Sequence, residues 1–303
     1  MQFVTYVQDG KQHVGLFTQE QRFIVPIAAA EKHFLGSAAI PDDMQAIIEA
    51  GDDVVAKIKE LAEKAAADNK FPLVAVDAVT VLAPIPRPKK NIFCIGKNYV
   101  EHALEFDKSG DANTAVPKYP VVFTKPPTTV VGPGAVVKSH QDVTGQLDYE
   151  VELAVVIGKT ASKVSRAEAY DYVFGYTIMN DVTARDLQKR HLQWFLGKGL
   201  DTFAPLGPCL VHKSAIPDPH NLNISCKING EIRQNANTRD MVFDIPTLIE
   251  VISAGITLEP GDIIATGTPS GVGAGFNPPK FLKSGDVMEL EIAGIGILKN
   301  TIE

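Results

Sequence analysis

The pattern of apolar and polar positions changes where the chain reads Leu147-Asp148-Tyr149-Glu150-Val151-Glu152-Leu153-Ala154-Val155-Val156-Ile157. The first half alternates, which in a strand sends Glu150 and Glu152 to one side and Val151 and Leu153 to the other. The second half is apolar throughout, the pattern of a strand covered on both faces. Similar apolar runs predict strands at 91–96, 120–125, 174–181 and 262–266. Asp9-Gly10 and Asn229-Gly230 each separate two strand-like runs and predict tight hairpins, with a further short strand at 22–26 and paired strands closing the chain at 285–292 and 296–302. Helical spacing appears at Met44, Ile47 and Ile48, at Val54, Val55, Ile58, Leu61, Ala62 and Ala65, near 166–172 and near 245–254. Thr183-Ala184-Arg185-Asp186 has the form of a capping box opening another helix. Alternating prolines in Leu82-Ala-Pro-Ile-Pro-Arg-Pro88 make an extended connector, dividing the chain into a small domain at 1–85 and a larger one at 86–303.

Composition narrows the class. The 303 residues carry 29 Lys plus Arg against 36 Asp plus Glu, a net charge of −7, which disfavours a nucleic-acid partner. No apolar run approaches the roughly 20 residues of a membrane span, and the first residues lack the signature of a signal peptide, so a cytoplasmic location is expected. The three cysteines stand in apolar surroundings without metal-binding spacing and read as buried free thiols.

The acidic pair changes the picture most. A Glu-x-Glu on a solvated strand face is ordinary, and Glu289 and Glu291, in a cleanly alternating run, are read that way. Glu150 and Glu152 lead instead into a doubly covered run, where two carboxylates repel and lose water unless a cation joins them. Asp181 ends the next such strand, as a helix cap or as a third ligand. Carboxylates without a Cys–His cluster suit Mg²⁺ or Mn²⁺. His102 and Glu105 lie three residues apart, either as a surface helix pair or as an imidazole whose basicity a carboxylate raises. Lys198 stands between glycines on a loop able to approach a ligand, and Arg185 and Gln188 share a helix face. Lys125 reads as a strand-end charge. The glycine-rich stretch 267–275 fits neither nucleotide-binding pattern, although its amides and Thr268 can donate to an anion. The polar residues 106–118 suit a loop that closes over a site.

Taken together, Gly96-Lys-Asn-Tyr99-x-x-His102-x-x-Glu105, Asp148-Tyr-Glu150-x-Glu152, Asn180-Asp181-x-Thr-Ala-Arg185-Asp-x-Gln188, Lys198-Gly-x-Asp201-Thr202 and Thr266-Gly-Thr268-Pro resemble the fumarylacetoacetate hydrolase family from about residue 86 onward. The resemblance implies an α+β, mostly β fold, a mixed β-sandwich roll with a small N-terminal α+β domain, in a homodimer. It implies Glu150, Glu152 and Asp181 as ligands of Mg²⁺ or Mn²⁺, His102, Glu105 and Lys198 in catalysis, and Arg185, Gln188, Lys125 and Thr268 at the substrate. The eponymous enzymes carry a further acidic ligand ahead of the motif tyrosine, where this chain has Lys97-Asn98. That departure favours the acylpyruvase and oxaloacetate decarboxylase branch. The expected reaction is therefore metal-dependent C–C cleavage of a small 2-oxo acid through a pyruvate enolate. An isomerase or hydratase of hydroxymuconate-type acids, or a catalytically silent metal-binding partner protein, are the alternatives.

Overall fold

A computed structural model describes residues 1–18, 20–107 and 110–303. Two large sheets and a helical layer pack together, with a third, two-stranded sheet of Leu147–Asp148 and Thr183–Ala184 beside them. The larger sheet has twelve strands, with a main path running Val74–Ala75, Phe23–Pro26, Lys11–Phe17, Gln2–Gln8, Ala204–His212, Val173–Asn180, Val151–Ile157, Ile263–Ala265, Ile92–Gly96, Val121–Lys125. The smaller has five, in the order Glu231–Asn237, Asn223–Ile228, Val287–Ile292, Gly296–Ile302, Val136–Val137.

The Val151–Ile157 strand lies inside the larger sheet and every one of its residues is buried. Its two faces serve two cores. Val151, Leu153, Val155 and Ile157 pack toward Ile224, Met288, Leu290 and Leu298 of the smaller sheet. Ala154 and Val156 pack in a second core with Ile47, Ile48, Ile58 and Leu61 of the N-terminal helices Met44–Ala50 and Asp52–Ala67. Each of the valines, leucines and isoleucines among them contributes about 1.5–3 kcal/mol by leaving water. Gln2–Gln8 pairs antiparallel with Ala204–His212, so the N-terminal strands continue the same sheet.

Several local expectations hold. Asp9 and Gly10, and Asn229 and Gly230, have positive φ as two-residue hairpins require. The three cysteines are free and buried, and Glu289 and Glu291 flank buried Leu290 on the open face of their strand. Others need correction. The expected strand at 147–157 is broken: Leu147–Asp148 pairs with Thr183–Ala184, and the Val151–Ile157 strand begins only after Glu150. The break is held by side chains, because Asn180 Oδ1 accepts the Glu150 N–H and Gln234 Oε1 accepts the Val151 N–H. Thr183 caps nothing. It lies in a strand and donates to the Asp181 carbonyl, while Ala184 precedes the Arg185–Arg190 helix and Asp186 accepts from Thr144 and Gly145. The segment near 166–172 forms only a 3-10 turn at Ala169–Tyr172, and a helix at Ile27–Leu35 had no counterpart in the periodic pattern.

Candidate metal centre

The break after Asp148 and the end of the Val173–Asn180 strand bring three acids together. One carboxylate oxygen from each of Glu150, Glu152 and Asp181 lies within 4.8 Å of the others, and all three residues are buried. Glu150 and Asp181 come from adjacent points of the paired strands, tied by the Asp181 N–H donating to the Glu150 carbonyl at 2.9 Å.

Cations surround two of these acids. Lys198 Nζ is 2.8 Å from Glu150 and 2.7 Å from Asp181. Lys125 Nζ is 2.5 Å from Asp181 and donates to the Val182 carbonyl at 2.9 Å. Arg185 donates through Nε to Asp148 at 2.8 Å and sets Nη2 2.7 Å from Glu150. Burial alone would raise the Glu150 carboxyl, but Lys198 and Arg185 outweigh it and hold the group below the ordinary carboxylate range. Glu152 differs. Among the described residues no cationic side chain pairs with it, and its one hydrogen bond is from the Gly267 N–H at 2.9 Å. Burial, followed by the charges of Asp181 and Glu150, pushes its carboxyl well above the ordinary range.

Asp148, Glu150, Glu152 and Asp181 outnumber Lys125, Arg185 and Lys198 in a closed space, and the acid left without a cation faces the other two ligands. A hard dication satisfies an all-oxygen set of this kind, which offers no soft ligand. The residues fit the group.

A cavity of about 340 Å³ opens over the acids, lined by Glu150, Glu152, His102, Arg185, Gln188, Lys198 and Thr268 together with Lys97, Lys189 and an apolar wall that includes Ile95, Phe106, Leu192 and Trp194. His102 is carried by the Val100–Glu105 helix, and its Nδ1 stands 2.8 Å from Glu105 Oε2, which leaves Nε2 for the cavity. Gln188 accepts from Arg185 at 3.2 Å, and the Thr268 hydroxyl accepts from Gln234 at 2.8 Å, leaving its own proton to donate. Lys125 is not among the lining residues. It lies behind Asp181, wholly buried, and the direct substrate contact expected of it has no geometric support.

The glycine-rich stretch 267–275 serves the chain's own acids rather than an external anion. Its amides donate to Glu152 from Gly267, to Glu105 from Gly271 at 2.7 Å, and to Asp148 from Gly273 at 2.6 Å and Ala274 at 3.0 Å. Gly267 has φ 96°, and a Cβ on Gly273 would stand 2.7 Å from Asp148. The closing-loop expectation at 106–118 falls partly outside the described residues at 108 and 109. Asp148 and the tryptophan went unassigned from sequence. The first was visible only as a motif letter, and the second, between Gln193 and Phe195, belonged to no motif.

The model of the fumarylacetoacetate hydrolase C-terminal family matches residues 91–303. The chain is 52% identical over its full length to oxaloacetate tautomerase YisK of Bacillus subtilis, all of which is covered. It superposes on the fumarylacetoacetate hydrolase of Exiguobacterium antarcticum with a TM-score of 0.82 at 38% identity, covering 100% of this chain and 99% of that one. A maleylpyruvate hydrolase from Sphingobium sp. SYK-6, solved with manganese(II) and pyruvate, gives a TM-score of 0.77 at 28% identity, with 100% and 98% covered.

Proposed function

The chain belongs to the fumarylacetoacetate hydrolase family, and from that premise we propose that it interconverts the keto and enol forms of a small 2-oxo acid of the oxaloacetate type. The observation that carries the proposal is His102, held by Glu105 against the same cavity that Glu150 and Glu152 line, with Asp181 clustered against both. The name of the Bacillus subtilis relative points to the same reaction. Glu150, Glu152 and Asp181 hold Mg²⁺ or Mn²⁺, which when bound supplies Lewis-acid stabilisation for negative charge developing on the 2-keto oxygen.

The chain's own groups do the rest. His102 takes a proton from C3 through Nε2. The C–H electron pair becomes the C2–C3 double bond, and the oxygen gains the charge and then takes the proton from the imidazolium, which returns His102 to its neutral form. The reverse path returns the proton to C3. Glu105 fixes the imidazole tautomer and steadies its charged form. Lys198 is shared between Glu150 and Asp181, and it holds both carboxylates in place while adding positive charge near the developing oxyanion. Arg185 and Gln188 position the substrate end of the wall, Thr268 donates its hydroxyl proton, and Lys125 acts through Asp181 as a positioning residue. Residues 1–85 form a small accessory domain whose strands extend the sheet of the catalytic part at 86–303, and the protein works as a homodimer.

A second reading keeps the same enolate. His102 with Glu105 can equally activate water for C–C cleavage of an acylpyruvate, or the site can release CO₂ from oxaloacetate. The pyruvate in the Sphingobium structure favours retaining this reading. The test follows decay of enol-oxaloacetate absorbance and pyruvate release in parallel, on protein stripped with EDTA and then restored with Mg²⁺ or Mn²⁺. Metal-restored enol decay outpacing pyruvate release supports tautomerisation. Pyruvate release at the same rate supports cleavage, and activity insensitive to the metal overturns both.

A further inference from the structure

The cavity is lined by four cationic side chains, Lys97, Arg185, Lys189 and Lys198. Two are committed. Arg185 is tied to Asp148, Glu150 and Gln188, and Lys198 to Glu150 and Asp181. Neither Lys97 nor Lys189 has a hydrogen-bond or ion-pair partner for its ammonium among the described residues.

Lys97 is held in place by its neighbours. Its φ is 55°, in the left-handed region, which costs a residue with a side chain about 1 kcal/mol and persists only where the surroundings enforce it. On one side Gly96 lies against Trp194, where a Cβ would come within 2.3 Å of the indole. On the other, the Asn98 side chain donates to the carbonyls of Thr266 and Phe243 and accepts the Phe243 N–H. The backbone is thus pinned before and after Lys97, and the enforced turn puts a half-buried lysine in the cavity wall. Lys189, exposed on the Arg185–Arg190 helix, adds a second positive charge to the lining.

A monocarboxylic 2-oxo acid gives these ammonium groups nothing to bind, whereas a dicarboxylic one has a second carboxylate to offer. We propose that Lys97, assisted by Lys189, binds the distal carboxylate of the substrate and so selects 2-oxo diacids over 2-oxo monoacids. This rests on the oxo-acid reading of the site and adds to it the residues that recognise the second carboxylate. Ile95, Phe106 and Trp194 add apolar lining to the same cavity, where a charge pair is screened less than in open water.

The protein supplies its own probe, since Trp194 is the single tryptophan in the chain and lines the cavity. Indole fluorescence of the Mg²⁺-loaded full chain is titrated with oxaloacetate and, as a monoacid of equal carbon number, with 2-oxobutyrate. A charge-assisted contact implies that Lys97→Met weakens oxaloacetate binding about 10–100-fold. It should leave 2-oxobutyrate unchanged, and Lys97→Arg should restore most of the loss. Equal weakening of both acids, or no weakening even in the Lys97→Met/Lys189→Met double variant, overturns the assignment and leaves the oxo-acid reading standing. A wild-type protein that answers to neither acid while still binding Mg²⁺ overturns both.

Discussion

Glu105 divides its carboxylate between two duties: Oε2 meets His102 Nδ1 at 2.8 Å, and Oε1 accepts the Gly271 N–H at 2.7 Å. The residue that orients the imidazole thereby also fastens its helix to the glycine-rich stretch. That stretch in turn supplies amides to Glu152 and Asp148.

Glu105→Gln keeps the shape but has only one acceptor oxygen for two partners. The imidazole loses the partner that stabilises its charged form. Turnover of oxaloacetate should fall about 10–100-fold, and His102→Gln should lose about 10²–10⁴-fold, as removal of a general base does. Steady-state kinetics at saturating metal check this, and a wild-type rate in His102→Gln would remove the histidine from the chemistry.

Asp148 is wholly buried and satisfies Arg185 Nε and the amides of Gly273 and Ala274. Asp148→Ala leaves a buried guanidinium short of its partner, a change that costs about 3–5 kcal/mol in stability. Urea denaturation of the metal-stripped protein measures it, with Asp148→Asn expected to lose less because it retains an acceptor.

His212 gives a pH dependence remote from the acids. Burial, then the N-terminal ammonium and Lys213, pushes its imidazole from the ordinary 6.5 down to about 4. Between those values the unfolded chain binds a proton that the folded one refuses. Stability from this group is therefore complete above about 6.5 and is lost as pH falls toward 4. His212→Asn retains an acceptor near the Ser214 N–H now satisfied by Nδ1. It should flatten the fall in Tm between pH 6.5 and 4 relative to wild type, and parallel Tm curves would count against the assignment.

Much of this was legible in the sequence because it depends on local pattern. The apolar run 153–157 announced a strand covered on both faces, and the acids beside it announced a shared charge problem. What stayed hidden depends on pairing across the chain. Nothing near Glu150 reveals that Asn180 and Gln234 take its backbone out of the strand. Nor does Lys125 betray locally that its ammonium ends against Asp181, 56 residues away, with the acid between it and the cavity. The amides of 267–275 looked available for a substrate because the carboxylates they meet come from residues 105, 148 and 152.

In the proposed function Glu150, Glu152 and Asp181 together hold the dication on which turnover depends, and among the described residues no cationic side chain pairs with Glu152. Titrating Mn²⁺ into EDTA-stripped protein, with free Mn²⁺ followed by electron paramagnetic resonance, tests it without any substrate. Wild type should bind one ion per chain, and folded Glu152→Gln should bind more than about 100-fold more weakly, since it loses a charged ligand outright. Equal Mn²⁺ affinity in the two proteins would contradict the account.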